Sequence, residues 1–300
     1  MIIQNQSEAK KKLVWKIVFI VSAAIFAVSI LSMLVTVGIR VYEIISLKSQ
    51  SEKLQEMKTI AIEEEDEEPY YQWEIAEKKQ EALGKKVERI ELLPEYEILY
   101  KENSDIIGWL QIDDTQIDYP VMQKKDDEDY YLSHDFYGKK NSNGTLILDE
   151  ASRVGVGVVS NSYKLGNKPS TNLIIHGHTM KTGDMFGKLH LYEEEEYGKT
   201  HSVIHFDSLY EKREYELMCV FYSEVFEKDA DVFKYYNFIE AASEEEFTEW
   251  YDNVKSKALY PTGVLAEYGD EFLTLSACSY HKEEGRFVVV AKRIYPDMEK

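Results

Sequence analysis

One uninterrupted apolar segment constrains this chain more than any other feature of its sequence. It runs from residue 17 to residue 39, IVFIVSAAIFAVSILSMLVTVGI, and none of its 23 residues is charged. At about 1.5 Å of rise per residue, a helix of this length crosses a hydrocarbon core of about 30 Å. A buried helix of a soluble core rarely runs so far without a polar face. We therefore predict a single transmembrane anchor over residues 17–39.

The flanks of this segment predict its orientation. A cleavable signal peptide has an apolar region of about 7–15 residues and a small-x-small cleavage site, and neither is present here. Lysines crowd the N-terminal side, whereas the basic residues after the segment are spread out among acids. Because basic flanks are retained inside, we predict a cytoplasmic tail over residues 1–16. The rest of the chain is then predicted on the extracellular face of the cell membrane.

The region after the anchor is predicted to be a stalk that leads to a folded domain. Residues 41–62 are polar and compatible with a helix, and the acidic run EEEDEE at 63–68 ends at Pro69, a helix breaker. We assign residues 40–69 to an acidic stalk or linker and residues 70–300 to an extracellular folded domain. Apolar residues at helical spacing between 70 and 91 predict one or two helices at the start of that domain.

The charge balance excludes one class of function. Lys and Arg number 35 and Asp and Glu number 55, so the net charge is 35 − 55 = −20. Nucleic-acid binding works by neutralising phosphates with Lys and Arg, and we therefore expect no nucleic-acid partner. We interpret the acidic run at 193–196 as a solvated loop.

Short apolar runs with period two predict a mainly β domain from about residue 96 onward. The predicted strands lie at 106–112, 144–149, 172–176, 202–206, 215–221, 272–277 and 287–293. Many short strands with few helices are typical of a β-barrel or a sandwich. One helix is expected among them, because Ser243 begins a capping box and is followed by apolar residues at i, i+3, i+4 and i+7, namely Phe247, Trp250, Tyr251 and Val254.

The predicted C-terminal hairpin carries two residues suited to acyl transfer. Cys278 follows the apolar strand 272–277, and Arg286 opens the next strand, with only residues 279–285 between them. Facing residues of antiparallel strands lie about 4.5–5.5 Å apart. A cation at that distance lowers a thiol pKa or stabilises an oxyanion. The alternative on spacing alone is a buried structural cysteine beside a surface arginine.

A histidine segment supplies the proton donor and acceptor that acyl transfer requires. His178 lies in IIHGHTM at 174–180, at the end of another apolar strand. Histidine titrates near neutrality, so it can protonate a leaving amine and deprotonate an incoming one. The alternatives are a structural histidine and a metal site formed with His176. Since no carboxylate or third histidine lies at ligand spacing, we expect no metal.

These segments together resemble the sortases, and in particular their class B. TLSAC at 274–278 with GRFVVVAKR at 285–293 resembles the signature hairpin of that family. HGHTMK at 176–181 with DMFGKL at 184–189 is similar to the histidine segment of the class. DIIGWL at 105–110 and GTLILD at 144–149 match two earlier landmarks. The resemblance therefore covers about residues 90–300.

The resemblance implies a fold and a set of roles. The fold is an eight-stranded β-barrel with an N-terminal helical extension and a helix before the cysteine strand, behind a single transmembrane helix. Cys278 is implied as the nucleophile, His178 as the general acid and base, and Arg286 as the cation that holds an oxyanion or the substrate. The chain departs from the family pattern at Ala277, where threonine is usual, and at His176, where tyrosine is usual.

The implied reaction is a transpeptidation. The thiol attacks a sorting motif near the C-terminus of a secreted protein, and the thioester passes to an amine of a peptidoglycan precursor or a pilin lysine. Two acyl transfers conserve the bond energy, so no cofactor is expected. A hydrolytic cysteine peptidase of the same fold and an idle membrane-tethered binding module remain alternatives. Cys219 shares a strand face with Leu217 and Phe221, and we expect it to be buried and not bonded to Cys278.

Overall fold

The predicted anchor lies within one long helix, α1, which comprises Ile2–Glu63. In this computed structural model, residues 2–63, 92–155, 158–159, 162–163, 168–279 and 284–295 are described. By length and composition, the part of α1 from Leu13 to Ala61 contains a segment that can cross a membrane. The chain divides into two compact units, Met1–Ser49 and Gln50–Lys300. The predicted helices between 70 and 91 lie outside the described residues.

The second unit is built on a closed β-barrel. In chain order the strands are β1 Ile106–Gln111, β2 Asp118–Met122, β3 Leu146–Leu148, β4 Val158–Val159, β5 Ser162–Tyr163, β6 Asn172–Gly177, β7 Val203–Ser208, β8 Glu214–Glu224, β9 Phe272–Cys278 and β10 Gly285–Ile294. Eight of them close in the order β1-β2-β3-β6-β9-β10-β8-β7, while β4 and β5 form a separate two-stranded sheet. The predicted eight-stranded barrel is confirmed.

Strand β2 is the barrel strand that the sequence pattern did not predict. It contains Pro120, which lacks a backbone N–H and argues against a central strand. In the barrel, Pro120 pairs with Trp109 of β1. On its other side β2 pairs with β3 only at Val121 and Met122. Pro120 is therefore paired on the β1 side and lies outside the two-residue ladder with β3.

Helices lie between and around the strands. They are α2 Pro94–Glu102, α3 Glu195–Thr200 and α4 Glu244–Ser256, with 3₁₀ turns at Tyr130–Leu132, Leu189–Glu193 and Tyr235–Asn237. Two of these elements correct the sequence analysis. The β pattern does not begin at residue 96, because α2 continues to Glu102. The acidic run at 193–196 is exposed as expected, but it enters a 3₁₀ turn and α3 instead of a loop.

Two apolar clusters attach the helices to the barrel. In the first, Leu54 of α1 and Tyr96 of α2 pack with Trp109 of β1, and Gln55 of α1 donates a hydrogen bond to the carbonyl of Asp118 (3.0 Å). In the second, α4 packs on β9 and β10 as its spacing predicted, with buried Phe247, Trp250 and Val254. The second cluster holds the base of β9, the strand that ends in Cys278.

Candidate active site

Strand pairing brings the three predicted site residues together at one rim of the barrel. Cys278 of β9 and Arg286 of β10 are direct partners in the antiparallel register. Strand β6 runs parallel to β9, with His176 beside Ser276 and Gly177 beside Ala277. His178 follows Gly177 directly and therefore reaches the same rim as the last residue of β9.

All three residues line one open cleft of about 290 Å³. Cys278 is exposed there, and His178 and Arg286 are half-buried. The described residues that share the cleft wall with them are Glu128, Asp129, Leu132, Ile147, Leu148, Asp149, Glu150, His176, Gly177, Val225, Tyr235, Tyr236 and Ser276. A reactive group that is open to solvent within a shaped cleft is accessible to a polypeptide substrate.

Cys278 and His178 perturb each other in the directions that favour an ion pair. A hydrogen bond to His178 lowers the pKa of the Cys278 thiol, and the positive charge of Arg286 lowers it further. The same hydrogen bond raises the pKa of His178, against the opposing effect of burial. Both shifts favour the thiolate of Cys278 and the imidazolium of His178, and the thiolate is the nucleophilic form of a cysteine.

A backbone carbonyl sets the orientation of the His178 ring. Nε2 of His178 lies 2.8 Å from the carbonyl oxygen of Leu132, which can only accept. The proton is therefore held on Nε2, and Nδ1 is left for Cys278. This contact also raises the pKa of His178, after the larger contribution of Cys278. Sequence reasoning missed Leu132, because a backbone acceptor carries no residue signature.

Arg286 is held at the rim by its own hairpin. Its Nη1 donates to the carbonyl oxygens of Gly285 (3.0 Å) and Glu284 (3.3 Å). Its Nη2 lies 3.8 Å from a carboxylate oxygen of Glu284, a side chain that is mostly exposed. These contacts leave further guanidinium donors for an oxyanion or a substrate carbonyl.

His176 lines the same cleft and has a carboxylate neighbour. Its Nε2 lies 3.3 Å from Oδ2 of Asp149, which follows β3. Spacing along the sequence did not reveal this pair, because the two residues come from different strands. Among the described residues, no group of three or more His, Cys, Asp or Glu side chains is placed to hold a metal ion. The His-x-His pair is thus divided between two partners, Asp149 for His176 and Cys278 for His178.

One wall of the cleft is acidic. Glu128, Asp129, Asp149 and Glu150 all contribute to it. Repulsion from Glu150 is the largest cause of a raised pKa at Glu128, and attraction to His176 opposes it. Glu128 therefore lies close enough to Glu150, Asp129, Asp149 and His176 to be affected by their charges. The wall is therefore suited to a positively charged group.

The unusual Ala277 lies on the other face of β9. Successive side chains of a strand point to opposite faces, so Ser276 and Cys278 face the cleft while Ala277 does not. Ala277 is buried and borders a second hollow on the far side of Cys278, together with Thr179, Phe186 and Phe287. Replacement of threonine by alanine at this position therefore removes no hydroxyl from the cleft itself.

Cys219 is buried as predicted, and it differs from Cys278 in the exposure of its thiol and in the direction in which its pKa is shifted. Its side chain has no exposed surface, and its Sγ donates to the carbonyl of Val254 (3.2 Å). Burial raises the pKa of the Cys219 thiol to about 12. Both cysteines are free thiols. Cys278 is therefore the thiol that is available for chemistry in the described part of the chain.

One rim of the closed β-barrel holds an exposed cysteine, a histidine and an arginine. A cysteine-dependent acyl-transfer enzyme requires side chains of these types in one site. The family model described as "Sortase domain" matches residues 110–294. The chain belongs to the sortases, and within that family to class B, the cysteine transpeptidases that its sequence resembles.

Individual relatives agree with this assignment. Sortase B of Listeria monocytogenes is 32% identical over 206 residues, which cover 68% of this chain and 76% of the relative. Sortase B of Staphylococcus aureus is 30% identical over 237 residues, which cover 78% of this chain and 87% of the relative. A crystal structure of sortase B from Bacillus anthracis superimposes with a TM-score of 0.57 at 29% identity, covering 74% of this chain and 94% of that one.

Proposed function

We propose that this sortase uses Cys278 as its nucleophile, His178 as its general acid and base, and Arg286 as its oxyanion or substrate cation. The donor is a secreted protein with a C-terminal sorting motif. The acceptor is an amine of a peptidoglycan precursor or of a pilin lysine. The observation that carries the proposal is the shared cleft, in which Cys278 and His178 perturb each other and Arg286 faces Cys278 across the hairpin.

The first half-reaction forms a thioester. The Cys278 thiolate attacks the carbonyl carbon of the scissile amide, and the negative charge moves to the carbonyl oxygen, beside Arg286. When the tetrahedral intermediate collapses, the C–N bond breaks and His178 gives its Nδ1 proton to the departing amine. The thioester keeps the energy of the amide, so the step requires no cofactor.

The second half-reaction reverses the order of proton transfer. The acceptor amine attacks the thioester carbonyl and His178 removes its proton through Nδ1. The C–S bond then breaks, a new amide forms, and Cys278 leaves as the thiolate. The enzyme returns to the thiolate–imidazolium form in which the cycle began.

The apolar part of α1 supports a membrane location. We assign residues 17–39 to a single-pass anchor in the cell membrane, with residues 1–16 inside and the barrel on the extracellular face, where secreted donors and wall precursors meet. Protease added to intact protoplasts should then digest the region after residue 40. Complete protection of that region would overturn the orientation.

The proposed chemistry is tested on the detergent-solubilised full chain with a library of sorting-motif peptides and candidate amines. Mass spectrometry should detect an acyl adduct on Cys278 and a new amide when an amine is present. Cys278→Ala should give neither product, and Arg286→Lys should form the amide slowly, because a point ammonium cannot reproduce the planar guanidinium fork. Normal turnover by Cys278→Ala would refute the assignment of the nucleophile.

The same experiment separates the two alternatives. A hydrolytic peptidase would release the carboxylic acid at the same rate with and without amine, whereas the proposed transpeptidase gives the amide. An idle binding module would leave Cys278 unlabelled by a thiol-reactive peptide analogue. Membership of an enzyme family and the exposed, perturbed thiol both argue against the binding module.

A further inference from the structure

The carbonyl that orients His178 belongs to a short turn outside the barrel ladders. Leu132 is the last residue of the 3₁₀ turn Tyr130–Leu132. A single 3₁₀ turn has weak hydrogen-bond geometry of its own. Some other part of the chain must therefore fix the position of the Leu132 oxygen relative to His178.

The segment just before β3 fixes this turn. The backbone N–H of Thr145 donates to the carbonyl of Tyr131 (2.7 Å), and the Thr145 hydroxyl donates to the carbonyl of His134 (3.1 Å). The backbone N–H of Asn141 donates to the carbonyl of Ser133 (2.9 Å). Residues 141–145 thus hold the backbone of residues 131–134 from one side.

Gly144 lies at the closest approach between the two segments. It is buried and has a φ of +62°. A Cβ atom at this position would overlap the carbonyl oxygen of Leu132. It would also lie 2.7 Å from the carbonyl carbon of Leu132 and 2.8 Å from the carbonyl oxygen of Tyr131. All three are backbone atoms, which cannot rotate away as a side chain can.

We propose that Gly144 is a positioning residue for His178, because its missing side chain lets the Leu132 carbonyl reach Nε2 of the catalytic ring. This inference rests on the proposed role of His178 and extends it to a residue that does not line the cleft. Any side chain at position 144 displaces the Leu132 carbonyl. The ring then loses the partner that holds Nδ1 toward Cys278.

The test compares Gly144→Ala with Gly263→Ala in the full chain. Gly263 also has a positive φ, +81°, but no atom lies within 4 Å of its would-be Cβ, so it controls for backbone strain. Gly144→Ala should lower kcat about 10²-fold, the size expected when a reacting group is misplaced by about 1 Å. KM for the donor peptide should stay close to that of the unsubstituted chain, and Gly263→Ala should retain activity.

A second measurement reports on His178 without turnover. The rate of iodoacetamide alkylation of Cys278 is followed against pH, since only the thiolate reacts. Gly144→Ala should move the midpoint of this profile to higher pH, because a displaced imidazolium no longer stabilises the thiolate. A merely destabilised fold would lower the melting temperature and leave the midpoint unchanged, and that result would overturn the proposal.

Gly144→Asn separates the side-chain clash from the unfavourable φ. Asparagine tolerates positive φ better than alanine does, but it carries the same Cβ. We expect it to fold at least as well as Gly144→Ala and to have equally impaired activity, so recovery of activity by asparagine would overturn the proposal.

Should neither variant fold, Thr145→Val loosens the same turn by removing one hydrogen bond. An unchanged alkylation midpoint in that variant would also overturn the proposal.

Failure of this inference is distinguishable from failure of the proposed function. His178→Ala is measured in parallel with the Gly144 variants. If His178→Ala remains active, the proposed role of His178 is wrong. If His178→Ala is inactive while Gly144→Ala matches Gly263→Ala, only the positioning role of Gly144 is wrong.

Discussion

At the scale of single residues, the coupling between Cys278 and His178 gives the pH dependence of the enzyme a definite sign. The Cys278 pKa is lowered and the His178 pKa is raised, each chiefly through their mutual hydrogen bond. Under the proposed mechanism, acylation needs the thiolate and the imidazolium together. The rate should therefore pass through a maximum between the two pKa values and fall at lower and at higher pH, which gives a bell-shaped profile.

The pH dependence of Cys278 alkylation tests this coupling directly. In His178→Ala the thiol loses its hydrogen-bonding cation, so the alkylation midpoint should move up toward the ordinary value of about 8.5. Transpeptidation should fall by about 10²–10⁴-fold. His176→Tyr restores the usual residue of the family and should keep the midpoint of the unsubstituted chain. An unmoved midpoint in His178→Ala together with a moved one in His176→Tyr would transfer the role to His176.

The second cysteine gives a prediction about stability. Cys219 is fully buried and its thiol contacts the Val254 carbonyl (3.2 Å) of α4. Cys219→Ala leaves a small cavity and should lower the free energy of unfolding by about 1–2 kcal/mol. Chemical denaturation measures the loss, and transpeptidase activity should be retained. An inactive but folded Cys219→Ala would mean that the wrong cysteine has been chosen.

The sequence predicted three candidate site residues that the fold brings together. Cys278, His178 and Arg286 stand at strand ends, where period-two patterns stop, and the strand register brings them to one cleft. Leu132 and the pairing of Asp149 with His176 were not predictable in the same way. Leu132 acts through its backbone carbonyl. Asp149 and His176 lie far apart in the sequence, and their strands become neighbours only in the closed barrel.

At the scale of elements, α4 stabilises the base of the cysteine strand. Trp250 stacks on Phe238, with ring centroids 4.3 Å apart, and lies 4.8 Å from the ring of Phe272, the first residue of β9. Trp250→Ala should lower the free energy of unfolding by about 3–5 kcal/mol, as is typical when a large buried aromatic is removed. Denaturation followed by near-ultraviolet circular dichroism measures the change.

A neighbouring exposed position provides the control for this helix. Asp252 lies on the solvent side of α4, and Asp252→Ala should change stability by no more than about 0.5 kcal/mol. Equal losses of unfolding free energy in Trp250→Ala and Asp252→Ala would show that packing of the apolar face of α4 does not stabilise the fold.

Element prediction succeeded where local signals agree with the fold. The capping serine of α4 works as its spacing predicted, since the Ser243 hydroxyl accepts a hydrogen bond from the Glu246 N–H (3.3 Å). Strand β2 was missed because Pro120 is tolerated only through the particular register of its neighbours. A local pattern cannot contain that information, because the register is a property of the closed barrel.

At the scale of the whole molecule, the chain has a net charge of −20, and its active-site cleft is also lined by acidic side chains. Glu128, Asp129, Asp149 and Glu150 line the same cleft as Arg286 and His178. His176, which contacts Asp149, lies two residues before His178, and two residues of a strand span about 6.6 Å. We therefore expect the carboxylates near His176 to act on substrate residues about two positions from the scissile bond.

We predict that a basic residue at that distance from the scissile bond makes a sorting motif a better donor. Peptides that differ only in Lys, Gln or Glu at each position should rank Lys above Gln above Glu in kcat/KM at the sensitive position. Since exposed ion pairs contribute about 0.2–1 kcal/mol each, each carboxylate should change the rate by a factor of about 1.4 to 5. The preference should weaken as salt rises above about 0.15 M, where the Debye length falls below about 8 Å.

The wall itself is tested by a double variant. Glu128→Gln with Glu150→Gln removes two charges with little change of shape and should reduce the ratio of Lys to Glu peptides. Glu196→Gln removes an exposed charge that does not line the cleft and should leave the ratio unchanged. If the Glu peptide and the Lys peptide have equal kcat/KM at every position, the electric field of the acidic wall does not reach the bound donor. Specificity for the donor then arises from shape and hydrogen bonding alone.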